Sequence, residues 1–259
     1  MNYISWNISY SSKKEKIAEK LLSELVDKKT IICLMEVVPA TYEYLKSILS
    51  ENYGMSYSLD FRKPGKYDSR SRKLGVMFVY PPSMAVSSVD VLWRAPFPDR
   101  TLMMKYKEPD GDYKTIMTVH SVTGCDYKRT KSVQFDSFAE IVEDLQPDFV
   151  TFDANEPNED AFDIENMVFF DNKDKGAGAK RFFTTLVENG LADSFTLTHR
   201  REDFEGKQPL ITSHIIRGRL HKRYDFIFVK KNSPIKSCDY CYEEGIETSS
   251  DHAIVKVRI

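Results

Sequence analysis

The sequence predicts an α/β sandwich in which two mixed β-sheets pack face to face with helices outside. Three observations predict it. Runs such as "TIICLMEV" and "DFIFV" are apolar at almost every position, and a strand that is hydrophobic throughout is covered on both faces. These runs fall in two sets, each interrupted by segments with apolar residues at helical spacing, so each sheet brings its own helices. No internal repeat, low-complexity tract or Pro/Gly/Ser linker divides the 259 residues, which read as one domain spanning 1–259. Two sheets that share an inner core and carry helices on their outer faces satisfy all three.

The elements follow in order. "YISWNI" alternates and reads as a strand. Residues 12–28 place Ile17, Ala18, Leu21, Leu22, Leu25 and Val26 at helical spacing with lysines opposite, an ordinary solvated helix face. "TIICLMEV" is a buried strand, followed by an amphipathic helix from Pro39 to Ser50. Strand-like runs come next: "GMSYSLDF", "LGVMFVY", "SSVDVLW", "RTLMMKYK" and "KTIMTVHS". A long helix fits 128–145, and the strand "DFVTFD" ends at Asp153. Helices fit about 160–168 and 178–190, and "RYDFIFVK" and "AIVKVRI" are the closing strands. "KDKGAGAKRFF" lacks the spacing and the GK[ST] ending of a phosphate loop and reads as a connection.

Composition narrows the function. The formal net charge is −2, so no global basic field draws the protein onto a polyanion, and any such site is local. The N-terminal "MNYISWNISY" shows no signal-peptide pattern, and no run of about 18 apolar residues predicts a membrane span. The four cysteines read as reduced thiols, and the expected location is the cytoplasm. Cys238-Asp239-Tyr240-Cys241 is a lone CxxC without a second ligand pair, and is expected to be a loop rather than a zinc site.

The chemistry shows in the polar residues at strand ends. Asn7 closes the first strand, Glu36 ends "IICLME", His120 ends "TIMTVH", and Asp153 and Asn155 end "DFVTFDAN". Asp225 opens "DFIFV", and Asp251 and His252 precede the last strand. Singly, each reads as a turn residue or a satisfied polar group. Jointly they suggest a cluster, because ligands gather outside strand ends in α/β folds. Converging carboxylates repel one another, and a divalent cation relieves that repulsion; oxygen-rich donors favour Mg²⁺ or Mn²⁺ over zinc.

The segments "ISWNI", "LMEV", "TVHSVTG", "TFDANEP", "RYDFIFV" and "SSDHAIV" resemble, in order and rough spacing, the endonuclease/exonuclease/phosphatase superfamily, over nearly the whole chain from Asn7 to His252. Ser250-Asp251-His252 before a hydrophobic strand is the most specific piece, and Asp-x-Asn at 153–155 is next. "TVHSVTG" looks closer to the pancreatic-deoxyribonuclease and sphingomyelinase branches than to AP endonucleases. One departure is Phe152, where the superfamily usually has glycine, which predicts an altered backbone path at that turn. The resemblance implies a four-layer α/β sandwich and divalent-metal-dependent phosphoester hydrolysis, most simply by a nuclease. A phosphomonoesterase, a phospholipid diesterase and a non-catalytic binding module are the competing readings. It implies Glu36, Asn7 and Asp251 as metal ligands for Mg²⁺ or Mn²⁺, and Asp153, Asn155, His120, His252 and Asp225 as catalytic groups.

Two stretches suggest where an anionic substrate lies. "FRKPGKYDSRSRK" (61–73) carries six Lys/Arg, and "SHIIRGRLHKR" (213–223) carries four and runs into Asp225. Arg217, Arg219 and Arg100 are therefore candidate phosphate contacts for a phosphodiester, expected to be nucleic acid or a nucleotide. The acidic "NEPNEDAFDIEN" after Asn155 is expected to repel a duplex or bind a second cation.

Overall fold

A computed structural model describes residues 1–63, 65, 73–108, 111–170 and 177–259. Most of the basic stretch 61–73 and part of the connection before Ala177 lie outside the described residues.

The alternation of β2 (Thr30–Val37) explains the layering. Its Ile31, Cys33 and Met35 face one core, and Ile32 and Leu34 face another. β2 lies in a six-stranded sheet with β1 (Asn2–Asn7), β3 (Gly54–Tyr57), β4 (Gly75–Tyr80), β13 (Ser237–Cys241) and β14 (Ile254–Arg258), in the order β13-β14-β1-β2-β4-β3. The second sheet contains β5 (Ala85–Asp90), β6 (Thr101–Lys107), β7 (Tyr113–His120), β8 (Phe149–Asp153), β9 (Leu191–Asp193) and β12 (Asp225–Lys230), in the order β5-β6-β7-β8-β12-β9. Both sheets are mixed: β1 pairs β2 in parallel and β14 antiparallel, and β8 pairs β7 in parallel and β12 antiparallel.

Three stacked cores follow. The inner one joins Tyr3, Ile31 and Phe78 of the first sheet to Leu102, Ile116, Phe149 and Ile227 of the second. On the outer face of the first sheet, Trp6, Leu34 and Met77 meet helices α1 (Lys14–Glu24) and α2 (Pro39–Leu49). On the outer face of the second, Val150, Phe152, Phe226 and Phe228 meet two more helices. These are α5 (Arg129–Leu145) and α6 (Gly178–Glu188). The result is the expected four-layer sandwich. Short elements complete it: α3 (Ser58–Phe61), α4 (Gly124–Tyr127), α7 (Ser194–Thr198), α8 (Tyr242–Glu247) and the hairpin of β10 (His214–Ile216) and β11 (Leu220–Lys222).

Local chemistry sets the element ends. Pro39 starts α2, where its missing N–H costs nothing. α5 stops at Gln146, which turns left-handed (φ 43°) ahead of Pro147. Gly178 lets α6 lie flush on α5, since a Cβ there would come within 2.1 Å of the Ser132 carbonyl oxygen.

Several expectations are corrected. "GMSYSLDF" is not one strand: it breaks after Tyr57, because Ser58 turns inward to donate to the Asp99 carbonyl and accept from the Val76 N–H. "SSVDVLW" ceases to be a strand at Asp90, although Val91 and Leu92 stay buried. The helix expected at about 160–168 is an irregular loop with one short turn at Ile164–Asn166. Its carboxylates are drawn to distant cations: Asp160 pairs with Arg223 at 3.0 Å and Asp163 with Arg201 at 2.6 Å. The CxxC is not a loop but part of strand β13. Residues three apart in a strand face opposite ways, so Cys238 joins the inner core while Cys241 packs on the outer one, which rules out a shared metal. The four cysteines are free thiols.

Candidate active site

Strand register assembles the site. His120, Asp153 and Asp225 are direct Cα partners across β7, β8 and β12. Each follows its strand's inner-face parity: Phe149 and Thr151 lead to Asp153, and Val229 and Ile227 lead to Asp225. From the first sheet, Asn7 ends β1 on the same inner face as Tyr3. Its Nδ2 donates to Asp153 Oδ2 at 2.9 Å, joining the two sheets at one rim.

Glu36 needs a special device. By strict alternation after Met35 it would face the outer helices. Instead the β2–β4 register shifts between Leu34 and Val37, and Glu36 takes φ 60°. This bulge returns Val37 to the outer core and swings Glu36 to the rim. There its Oε1 lies 3.5 Å from His120 Nε2, and its Oε2 accepts from the Tyr10 N–H. Asn155 also has a positive φ (48°); its N–H donates to Asp153 Oδ1, so the turn after β8 is folded back on the carboxylate. Phe152 does not disturb this turn. Its side chain points to the opposite face, among Phe182, Phe183, Phe226 and Phe228.

The two central histidines carry different charges. His252 Nδ1–H donates to Asp225 Oδ2 at 2.8 Å, and its Nε2 faces Asp153 Oδ2 at 3.9 Å. Burial pulls its pKa down, but Asp225 and Asp153 overcome this and push it up to about 10. His120 has the reverse setting. Burial holds its pKa well below the ordinary value, and Arg100 and His252 reinforce this. Arg100 Nη1 donates to the ring at Nδ1, 2.9 Å away; a guanidinium can only donate, so the ring is neutral and its proton sits on Nε2, toward Glu36.

The expected metal ligands divide into two places. Asn7 and Glu36 are neighbours: burial raises the pKa of the Glu36 carboxyl, and a hydrogen bond from the Asn7 side chain opposes this only in part. Asp251 stands apart, its side chain 58% exposed, with oxygens 3.9 Å from His214 Nδ1 and 4.0 Å from His252 Nε2. A divalent cation nevertheless suits the donor set. Burial raises the pKa of Glu36 and of Asp153, and Asp225 adds to the effect on Asp153. Three carboxylates at the rim face two cations, His252 and Arg100, so one negative charge is in excess, and Asp251 adds another. Asp225 Oδ1 is buried without a hydrogen-bond partner among the described residues. Hard oxygen donors with surplus negative charge fit Mg²⁺ or Mn²⁺.

The basic candidates also divide. Arg100 is buried behind His120, so its expected direct phosphate contact is replaced by contact with that ring. Arg217 and Arg219 are exposed at the tip of the β10–β11 hairpin, whose base is tied to the site by a bridge from His214 to His252. Arg223, in the same basic stretch, is fully buried between Asp160 and Asp193. Three carboxylates of the acidic segment are paired with cations elsewhere in the chain, Glu156 with Lys131 at 2.9 Å, Asp160 with Arg223 and Asp163 with Arg201.

Sequence reading missed His214, whose ring lies 4.3 Å from that of His252 and nearly parallel to it. Its only signal was membership of the basic stretch. Lys131 and Tyr224 beside the site carried no motif, although Tyr224 directly precedes Asp225.

No protein-family model matches the sequence, and no curated protein is detectably similar to it. Solved structures do match over the full length. An endonuclease/exonuclease/phosphatase protein from Bacteroides vulgatus aligns with a TM-score of 0.62 at 18% identity, covering 100% of this chain and 98% of that one. The chain has the endonuclease/exonuclease/phosphatase fold. Others with this fold include D. rerio TDP2 complexed with single-strand DNA product (TM-score 0.62, 15% identity, 99% and 97% coverage). The 3′ phosphatase NExo from Neisseria, bound to product DNA hairpin, is a third (TM-score 0.64, 18% identity, 100% and 99% coverage). No helix among the described residues is long and apolar enough to cross a membrane.

Proposed function

We propose that the protein is a divalent-metal-dependent phosphodiester hydrolase, a nuclease acting by in-line attack of water. One observation carries the reading: Asn7 and Glu36 from one sheet and His120, Asp153 and Asp225 from the other meet with His252 at a single rim. TDP2 holding a DNA product and NExo holding a DNA hairpin support nucleic acid as the substrate class.

Glu36 and Asn7 would hold Mg²⁺ or Mn²⁺, which when bound supplies Lewis-acid neutralisation of the phosphate and leaving oxygens, and Asp251, set apart beside His214, is not assigned to that ion. Asp153, its pKa raised, accepts a proton from water on the face opposite the leaving group. His252, charged and fixed by Asp225, donates to a non-bridging phosphate oxygen as charge builds there. His120 donates through Nε2 while Arg100 keeps its other nitrogen unprotonated. The Asn155 side chain adds a further donor to the phosphoryl group, and Arg217 and Arg219 attract the flanking backbone. No covalent intermediate is required.

The test compares the parent chain with Glu36→Gln on supercoiled DNA, single-stranded DNA, RNA, cyclic dinucleotides and a chromogenic phosphodiester, with Mg²⁺, Mn²⁺ or chelator. The expected result is metal-dependent cleavage that falls on the order of 10²- to 10⁴-fold in Glu36→Gln. Metal-independent cleavage, or equal rates in the two proteins, overturns the proposal. NExo's description as a 3′ phosphatase favours one second reading, a phosphomonoesterase, which release of inorganic phosphate from 3′-phosphorylated DNA without chain cleavage would establish.

A further inference from the structure

Beside the rim lies a cavity of about 360 Å³, within the size range of small-ligand sites. One wall belongs to the reaction site: Asn155 and His214 line it. The other walls combine four rings, from Phe135, Phe169, Phe170 and Tyr224, with the aliphatic Ala177, Ala179 and Ile216 and with charged groups such as Lys131 and Glu156. The His214 ring runs nearly parallel both to His252, at 4.3 Å, and to Tyr224, at 5.9 Å, so stacked planes lead from the reacting centre to the cavity.

We propose that this cavity seats a nucleobase next to the scissile phosphate, so that the enzyme takes single-stranded nucleic acid or a frayed end in preference to paired duplex. The proposal rests on the phosphodiester reading above.

The chemistry of the lining selects the occupant. Most of its polar groups are already engaged. Lys131 Nζ donates to the Asn155 carbonyl and to Glu156 Oε1, Ser132 Oγ accepts from the Gly178 N–H, and Thr123 donates to Asp126. What remains is ring and aliphatic surface, the Lys180 ammonium, the Cys125 thiol and two further polar points that have no partner among the described residues. These are the Tyr224 hydroxyl and His214 Nε2, the Nδ1–H of His214 being given to the Asp251 carbonyl. Flat faces with a few edge groups describe a base, and stacking on aromatic side chains tolerates any base. Lys180 lines the cavity, and Arg217 follows its lining residue Ile216, so cations stand where the backbone phosphates would run. A base in a duplex has both faces covered and must leave its stack to enter; an unpaired base enters at the least cost.

Two measurements test this. The first is kinetic: KM for a single-stranded oligonucleotide, for the same strand carrying one abasic nucleotide stepped through each position, and for its duplex. KM is expected to rise about 5- to 100-fold when the base beside the cleaved phosphate is missing or paired. In Phe170→Ala, whose side chain is 38% exposed in the parent, that difference is expected to collapse. The second is a footprint in chelator. Cys125 is exposed and lines the cavity, whereas Cys33 and Cys238 are buried and Cys241 is half-buried. Single-stranded DNA is expected to protect Cys125 from alkylation, and duplex or the abasic strand at equal concentration is not. If Phe170→Ala does not fold, Phe170→Leu and the parent's footprint still decide. Cleavage with equal KM for intact, abasic and duplex substrates overturns the proposal and leaves the hydrolase reading standing. Protection of Cys125 by phospholipid micelles and not by DNA overturns it in favour of a lipid ligand. If no phosphodiester is cleaved with any metal, the hydrolase reading fails, and the footprint judges the base site by itself.

Discussion

At the residue scale, the site contrasts two buried histidines. His252 has carboxylates on two sides and stays charged, while His120 has a guanidinium beside it and stays neutral. In the metal-free protein, ¹⁵N NMR is expected to show His252 titrating near 10. Asp225→Asn removes the largest opposing charge and its hydrogen bond, so the pKa falls, with Asp153 and Asp251 left to oppose burial. The sign for stability follows. A raised folded pKa contributes stability fully present below about 6.5 and lost as pH rises through about 10, so Asp225→Asn lowers Tm at neutral pH and much less above pH 10. The same variant loses the imidazole's orientation and is expected to slow cleavage about 10²- to 10⁴-fold. A His252 pKa that stays high in Asp225→Asn would show that another group charges the ring.

At the element scale, the bulge in β2 shows how far local reading reaches. The apolar pattern placed β2 correctly from Thr30 to Val37, but alternation alone sends Glu36 away from the site. A shift of register brings it back, and register depends on β4, some 40 residues further along the chain. The 160–168 loop failed for a related reason: its carboxylates answer to Arg201 and Arg223, not to a helical period. Away from the site, four charges tie three elements together. Lys20 and Glu24 of α1, Glu244 of α8 and Lys256 of β14 make contacts of 2.6–2.9 Å. Partial burial would raise the Glu244 pKa, but hydrogen bonds from Lys20 and Lys256 pull it down to about 2. A depressed folded pKa contributes stability present above the ordinary 4.5 and lost as pH falls through about 2. Thermal melts should therefore show Glu244→Gln less stable than the parent at pH 7, with the gap closing toward pH 2. A gap independent of pH would mean that the contribution is not ionic.

At the scale of the whole molecule, catalytic and packing roles separate by strand face. Phe152 and Asp153 are adjacent, yet one fills the outer core and the other stands at the rim. Phe152→Ala is expected to cost about 3–5 kcal/mol and to lower Tm by roughly 10 °C. Its rate per folded molecule, assayed well below that Tm, is expected to remain within a few-fold of the parent, and a loss as large as that of Glu36→Gln would place Phe152 in the chemistry.

The two-sheet architecture was determined by the sequence alone, because a strand buried on both faces has to be apolar throughout and a helix lying on one face has to show its period. The polar residues closing those strands were visible for the same reason: a charge at the edge of a hydrophobic run stands out locally. Tertiary structure alone decided which of them meet. It brought Asn7 to Asp153 across 146 positions, turned Glu36 through a bulge, buried Arg100 and Arg223, and left Asp251 beside His214. Register, burial and pairing are set by contacts between segments far apart in the chain, and no local pattern encodes them.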